Sequence, residues 1–173
     1  MMNASQLNAR CIGVIMVNTF LPYADFTKSA KALDYKRLGK QRVEAWQILS
    51  ALRGQTKGWV NHPATRLWAG HEKLLCEYGI AICDEWIKRG YKDTMRERFI
   101  AVHSELPDCD KPFWSNYRHF YESHQSNLKR KDPDHYQFNV DADLPYLWID
   151  AETKVIKWGN KPNESKSKVD SKL

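Results

Sequence analysis

No two cysteines in this sequence are spaced as CxxC, and none of the four (Cys11, Cys76, Cys83, Cys109) has a zinc-like spacing. That argues against a zinc module or a dithiol redox pair. Cys76 and Cys83 lie seven apart in a stretch of helical pattern, so both can face a core as small hydrophobes. The four are expected to be reduced, buried, intracellular cysteines. Metal-binding histidine pairs are missing too: His119 and His124 are five apart, which does not put them on one helical face. The chain also lacks a long hydrophobic run. "CIGVIMV" is too short to span a bilayer, follows a single Arg and precedes no small-residue cleavage site. A cytoplasmic location without membrane contact is expected. No internal repeat or second domain is visible, and nothing calls for a metal, a cofactor or a protein partner, so a monomer is expected.

What is present is a chain of 173 residues, enough for one domain with a sizeable core. Hydrophobic residues are 42% and aromatics 12%, with seven Trp, which is a globular composition. The net charge of +6 and a pI near 9.1 favour polyanionic partners and say nothing about fold.

The pattern predicts an all-α fold, a compact single-domain bundle of about four helices with an extended C-terminal segment. Residues 1–15 read as an extension, with Met16 a second possible start, residues 16–160 as the helical domain, and 161–173 as a disordered polar tail. Asp25 is a candidate N-cap for a first helix over Phe26–Arg53, bending at Gly39 and stopped by Gly54. Pro63 opens a second helix that closes at Gly90, with Leu67, Leu74, Leu75, Tyr78, Ile82 and Trp86 at helical spacing. A weaker third helix covers about Asp93–Ser104 and a fourth about Ser115–Arg130. "DADLPYLW" reads as extended and "DAETKVIKW" as a short strand or hairpin.

The chemistry concentrates in the first helix. Lys36, Arg37, Lys40 and Arg42 crowd one short stretch, followed by Glu44. At about 100° per residue, Leu38, Ala45, Leu49 and Leu52 form the core face, and Arg37, Gln41 and Glu44 a stripe beside it. A carboxylate at that edge is partly desolvated while neighbouring cations pull its pKa the other way. The plain alternative is a solvated helix in which Lys40 and Glu44 make an i, i+4 pair worth about 0.3–0.5 kcal/mol. A second basic cluster, Arg118, His119, Lys129, Arg130 and Lys131, is interleaved with Tyr117, Phe120 and Tyr121. Basic side chains grip phosphate and aromatic faces stack on bases. Trp59, Trp68, Trp114, Trp148 and Trp158 are more than a small core needs, and some can wall a nucleobase pocket.

Four stretches carry a resemblance: "NTFLPYADFTKSAKALDYKRLGKQRVEAWQIL", "GWVNHPATRLWAGHE", "YGIAICDEWIKRGY" and "SHQSNLKRKDPDHY" with "LPYLW". Over Asn18–Trp148 they resemble the pyrimidine dimer DNA glycosylase family, in particular its bacterial branch. The resemblance implies a helical fold, double-stranded DNA as partner, flipping of a nucleotide and cleavage of its N-glycosidic bond. In the phage members it implies an N-terminal amine that attacks the sugar C1′, assisted by a glutamate on the first helix. Tyr35 and Lys36 match the tyrosine and basic residue before that glutamate, and Lys40 matches a later arginine. The glutamate's own position holds Arg37, so Glu44 becomes the candidate acid and Asp34 the second.

With the amine displaced, a water nucleophile and a monofunctional enzyme leaving abasic sites are expected. Glu44 or Asp34 would orient that water and stabilise the oxocarbenium-like sugar, as carboxylates do in glycoside hydrolysis. DNA contacts are expected from Tyr35, Lys36, Arg37, Lys40, Arg42, Arg118, Lys129, Arg130 and Lys131, and a base pocket from Gln41, His71 and His124. Two substrates stay open, a UV pyrimidine dimer (repair) and a bulky phage cytosine such as glucosylated hydroxymethylcytosine (antiviral defence). The alternative is a non-catalytic basic nucleic-acid-binding module.

Overall fold

Asp34 and Arg89 divide what the sequence pattern reads as one long first helix. The computed structural model describes residues 17–162; the extension 1–15, Met16, Cys11 and the tail beyond 162 lie outside the described residues. Helix α1 spans Phe26–Ala32, capped by Asp25, and α2 spans Tyr35–Leu52. Between them Leu33 and Asp34 are extended. The Asp34 carboxylate accepts from the backbone N–H groups of Lys36 and Arg37, which starts α2. The guanidinium of Arg89 donates to the carbonyls of Leu33 and Lys31, at 2.8 and 3.1 Å, which satisfies the end of α1. The break therefore falls at residues 33–34 and Gly39 is helical. Trp86 packs so closely over Gly39 that an added Cβ would sit 3.0 Å from its ring.

The second expected helix is divided as well. Helix α3 is a single turn, Pro63–Arg66, and α4 runs Glu72–Lys88. Gly70, at φ +78, makes the turn between them, a conformation that costs glycine little. Helix α5 covers Arg96–Glu105, a one-turn 3-10 helix covers Phe113–Asn116, and α6 covers Arg118–Lys131. Strands β1 (Leu147–Ile149) and β2 (Ile156–Trp158) form an antiparallel hairpin with Trp148 opposite Lys157. Among the described residues the fold is all-α apart from this hairpin, with six α-helices where about four were expected.

Helix α4 is the centre and packs against α1, α2 and α5. Its Leu75, Tyr78, Ile82 and Cys83 are fully buried, as are Leu38, Ala45 and Ile48 of α2. Burying each large aliphatic side chain contributes about 1.5–3 kcal/mol. At Gly79 a Cβ would lie 2.5 Å from the Phe99 ring, so glycine is what lets α5 approach α4. Cys76 and Cys83 are buried and free, and burial pushes the Cys76 thiol up to about 12. Cys109 is half-exposed, unlike the expectation. Among the described residues no helix is long and apolar enough to cross a membrane.

Candidate active site

The extended segment 17–21 lies over the first half of α2, and Gln41 fastens it there. Gln41 is completely buried and all its polar positions are taken. Its Oε1 accepts from Phe20 N–H at 3.0 Å and from the Tyr78 hydroxyl at 2.6 Å. Its Nε2 donates to the Asn18 carbonyl at 3.0 Å and to Glu44 Oε2 at 2.7 Å. Gln41 was expected to face a base. It has no free group to offer one and is instead the clamp that joins the segment to α2.

That clamp places Glu44 at the floor of a cavity of about 230 Å³, lined by Asn18, Phe20, Lys36, Arg37, Lys40, Glu44 and Lys131. Glu44 is 5% exposed. Burial pushes its pKa above the usual carboxylate range, against the opposing pull of Lys40, the Asn18 backbone N–H and Gln41. The Lys40 ammonium stands 3.5 Å from Oε1 and is itself solvated, so it offsets little of the burial. The cavity thus joins four cations to a single carboxylate that is reluctant to ionise.

A second groove, about 470 Å³, shares Lys36, Lys40 and Glu44 and is walled by Tyr35, Val43 and Trp86. Tyr91 stacks on Trp86 with centroids 4.1 Å apart. A larger depression of about 600 Å³ lies among α1, α4 and α5. Its acids are already paired, Glu77 with His103 and Asp84 with Arg96, so volume does not mark the chemistry.

Several expected DNA contacts have other partners. Arg42 binds Asp93 at 2.5 Å and lies 4.4 Å over the Trp86 ring. Lys129 donates to the carbonyls of Phe138 and Val140. Arg130 donates to those of Ala142 and Leu144 and to the Ser126 hydroxyl. These two cations hold the 138–144 loop against α6 and do not line the cavity. Arg118 is exposed and pairs with Glu122 at 2.6 Å. It starts the 14-residue helix that Lys131 ends, about 20 Å away along the axis.

The second candidate acid, Asp34, is a helix cap. Its Oδ2 accepts from Arg37 at 2.6 Å and from the Tyr136 hydroxyl at 2.5 Å. Burial would raise its pKa, but those donors and the cap hold it at about 2. Its carboxylate does not line the cavity. His124 is buried in the core, where Nδ1 accepts from Leu21 N–H and burial lowers its pKa to about 3. His71 stands at the start of α4 and does not line the cavity. Trp68 and Trp114 are core residues, and none of the five Trp singled out lines the cavity.

Asn18, Phe20 and Tyr136 were missed. Asn18 and Phe20 act through backbone groups, and no side-chain type signals that. Tyr136 reaches Asp34 across a separation of 102 residues. Among the described residues no cluster of three or more His, Cys, Asp or Glu is arranged to hold a metal.

Residues 17–99 match the family model described as pyrimidine dimer DNA glycosylase. The match takes in Asn18, Lys36, Arg37, Lys40 and Glu44 and ends before α6, which supplies Lys131. No curated protein and no solved structure matches the chain.

Proposed function

We propose that this chain, which belongs to the pyrimidine dimer DNA glycosylase family through residues 17–99, hydrolyses the N-glycosidic bond of a nucleotide flipped out of duplex DNA. The observation that carries this reading is Glu44, buried with a raised pKa on the floor of a cavity ringed by Lys36, Arg37, Lys40 and Lys131. The cations hold the phosphates on either side of the flipped nucleotide, a sequence-independent grip. As those phosphates neutralise Lys40, the pull that opposes burial weakens and the pKa of Glu44 rises further. The Gln41 and Asn18 donors fix the carboxylate beside the sugar, where it orients a water on C1′. As the base departs, its charge stabilises the oxocarbenium-like sugar. The product is an abasic site and the free base.

Six of the seven residues that line the cavity are polar or charged, with Phe20 as the one aromatic, and this favours a pyrimidine bearing a hydrogen-bonding substituent. A glucosylated hydroxymethylcytosine of phage DNA meets that description, and the protein would then act in antiviral defence. A UV dimer, the substrate in the family's name, is the second reading. The test is a panel of unmodified, UV-irradiated and glucosylated phage DNA, incubated in EDTA and then heated in alkali. Breaks confined to the phage DNA support the first substrate, and breaks confined to irradiated DNA the second. Salt-sensitive binding with no breaks in any DNA would leave a non-catalytic binding module.

A further inference from the structure

We propose that Tyr35 is a wedge: its ring enters the base stack of duplex DNA and fills the gap left by the flipped nucleotide, a role that rests on the glycosylase reading of the neighbouring cavity. Tyr35 is the first residue of α2 and is 55% exposed, the most exposed aromatic side chain among the described residues. The other exposed rings have partners. Tyr91 stacks on Trp86, Tyr117 meets Phe113 edge-on, and Trp158 lies opposite Leu147 in the hairpin. Among the described residues Tyr35 meets no other ring and its hydroxyl makes no hydrogen bond. The Lys36 ammonium stands loosely over it, 5.9 Å from the ring centre.

A wedge has to hold its place while the stack pushes back, so its backbone must be fixed. The residue before Tyr35 is fixed from several directions. The Asp34 carboxylate accepts from the N–H groups of Lys36 and Arg37 and from the Arg37 guanidinium. Its own N–H donates to the Tyr136 hydroxyl at 2.9 Å, and that hydroxyl donates back to Oδ2. Arg89 of α4 holds the preceding carbonyl, that of Leu33, at 2.8 Å. The backbone is therefore rigid up to a ring that is more than half open to solvent.

The ring also stands in the right place. Lys36, Lys40 and Glu44 follow one another at intervals of four along α2 and line both the cavity and the groove beside it, so they form the ridge between the two. Tyr35 lines the groove, next to Lys36 at the N-terminal end of that ridge. With a nucleotide in the cavity and its flanking phosphates on Lys36 and Lys40, the vacated step of the duplex faces the start of α2. That step is about 3.4 Å of strand, room for one planar ring. Flipping forfeits the stacking of the target on both neighbours. A tyrosine ring in the gap restores it, whatever the neighbouring bases are, and delays the return of the nucleotide.

The test uses the full chain and two duplexes of one sequence, one unmodified and one carrying a single tetrahydrofuran residue, a stable abasic analogue whose gap is already open. It needs no base release by this protein. The parent should bind the tetrahydrofuran duplex about tenfold or more tightly than the unmodified one, since the ring gains stacking partners without unstacking a base. Tyr35→Ala should lose that preference and keep the parent's affinity for the unmodified duplex, because the cations hold the phosphates. Tyr35→Phe should keep the preference, because stacking needs the ring and the hydroxyl has no partner to lose. A parent without preference, an undiminished preference in Tyr35→Ala, or a Tyr35→Phe as weak as Tyr35→Ala would each overturn the wedge. Alkali-revealed base release from UV-irradiated and glucosylated phage DNA is scored separately: preference without release refutes the glycosylase reading alone, and release without preference refutes the wedge alone.

Discussion

Asp34→Asn isolates one charge without removing the cap it makes. Asparagine caps a helix about as well as aspartate, so the hydrogen bonds to Lys36 and Arg37 N–H can persist. What is lost is the anion facing Arg37 and the Tyr136 hydroxyl. The Asp34 pKa falls from its ordinary 3.8 to about 2 in the fold. At about 1.4 kcal/mol per unit that is about 2.5 kcal/mol, and some access of water to the pair brings the expectation to about 1–2 kcal/mol. The sign follows from the depression: the stabilisation is fully present above the unfolded pKa and is lost as pH falls through 3.8 towards 2. Urea unfolding of parent and variant between pH 7 and pH 2 should show a constant gap above about pH 5 that closes by about pH 2. A gap that persists unchanged at pH 2, or no gap at pH 7, would refute the assignment of Asp34 as an ionised cap.

Other perturbations test other parts of the architecture. Gly79→Ala places a Cβ 2.5 Å from Phe99 and should destabilise by about 1–3 kcal/mol or more, read as a lowered Tm. Gln41→Leu strands Asn18 O and Phe20 N–H in the interior, while the Tyr78 hydroxyl keeps the Phe20 carbonyl as acceptor. At about 1–3 kcal/mol for each buried group left unpaired, it should be the most destabilising of these changes, and a urea midpoint within error of the parent would contradict the clamp. Glu44→Gln should behave in the opposite way. Because the folded pKa of Glu44 is raised, its ionisation costs stability above that pKa, so the variant should be at least as stable as the parent at pH 8. Any advantage should shrink as acid protonates the parent.

Local signals in the sequence were reliable where the partners are near in the chain. Asp25 caps α1, Pro63 opens α3, and Leu38, Ala45 and Leu49 form the core face of α2 as their spacing implies. The division at Leu33–Asp34 was not legible, because the carbonyls at the end of α1 are satisfied by Arg89, more than fifty residues away. The basic cluster at the end of α6 misled for the same reason. Lys129 and Arg130 bind carbonyls of a loop whose path composition does not reveal, and only Lys131 reaches the cavity. Glu44 was legible because a carboxylate on the edge of a core stripe is desolvated wherever the helix packs. Gln41 shares that stripe, and its role turned on acceptors in the segment 18–20 that no periodicity marks.

The central claim is that the Glu44 carboxylate carries base release. Parent and Glu44→Gln should be compared on UV-irradiated and glucosylated phage DNA at equal DNA occupancy, in EDTA, scoring alkali-revealed breaks. The account predicts that the parent releases base from one of these DNAs and that the variant binds it with similar affinity yet releases base at least about a hundredfold more slowly, the scale of a lost acid–base group. A variant that releases base as fast as the parent would contradict it.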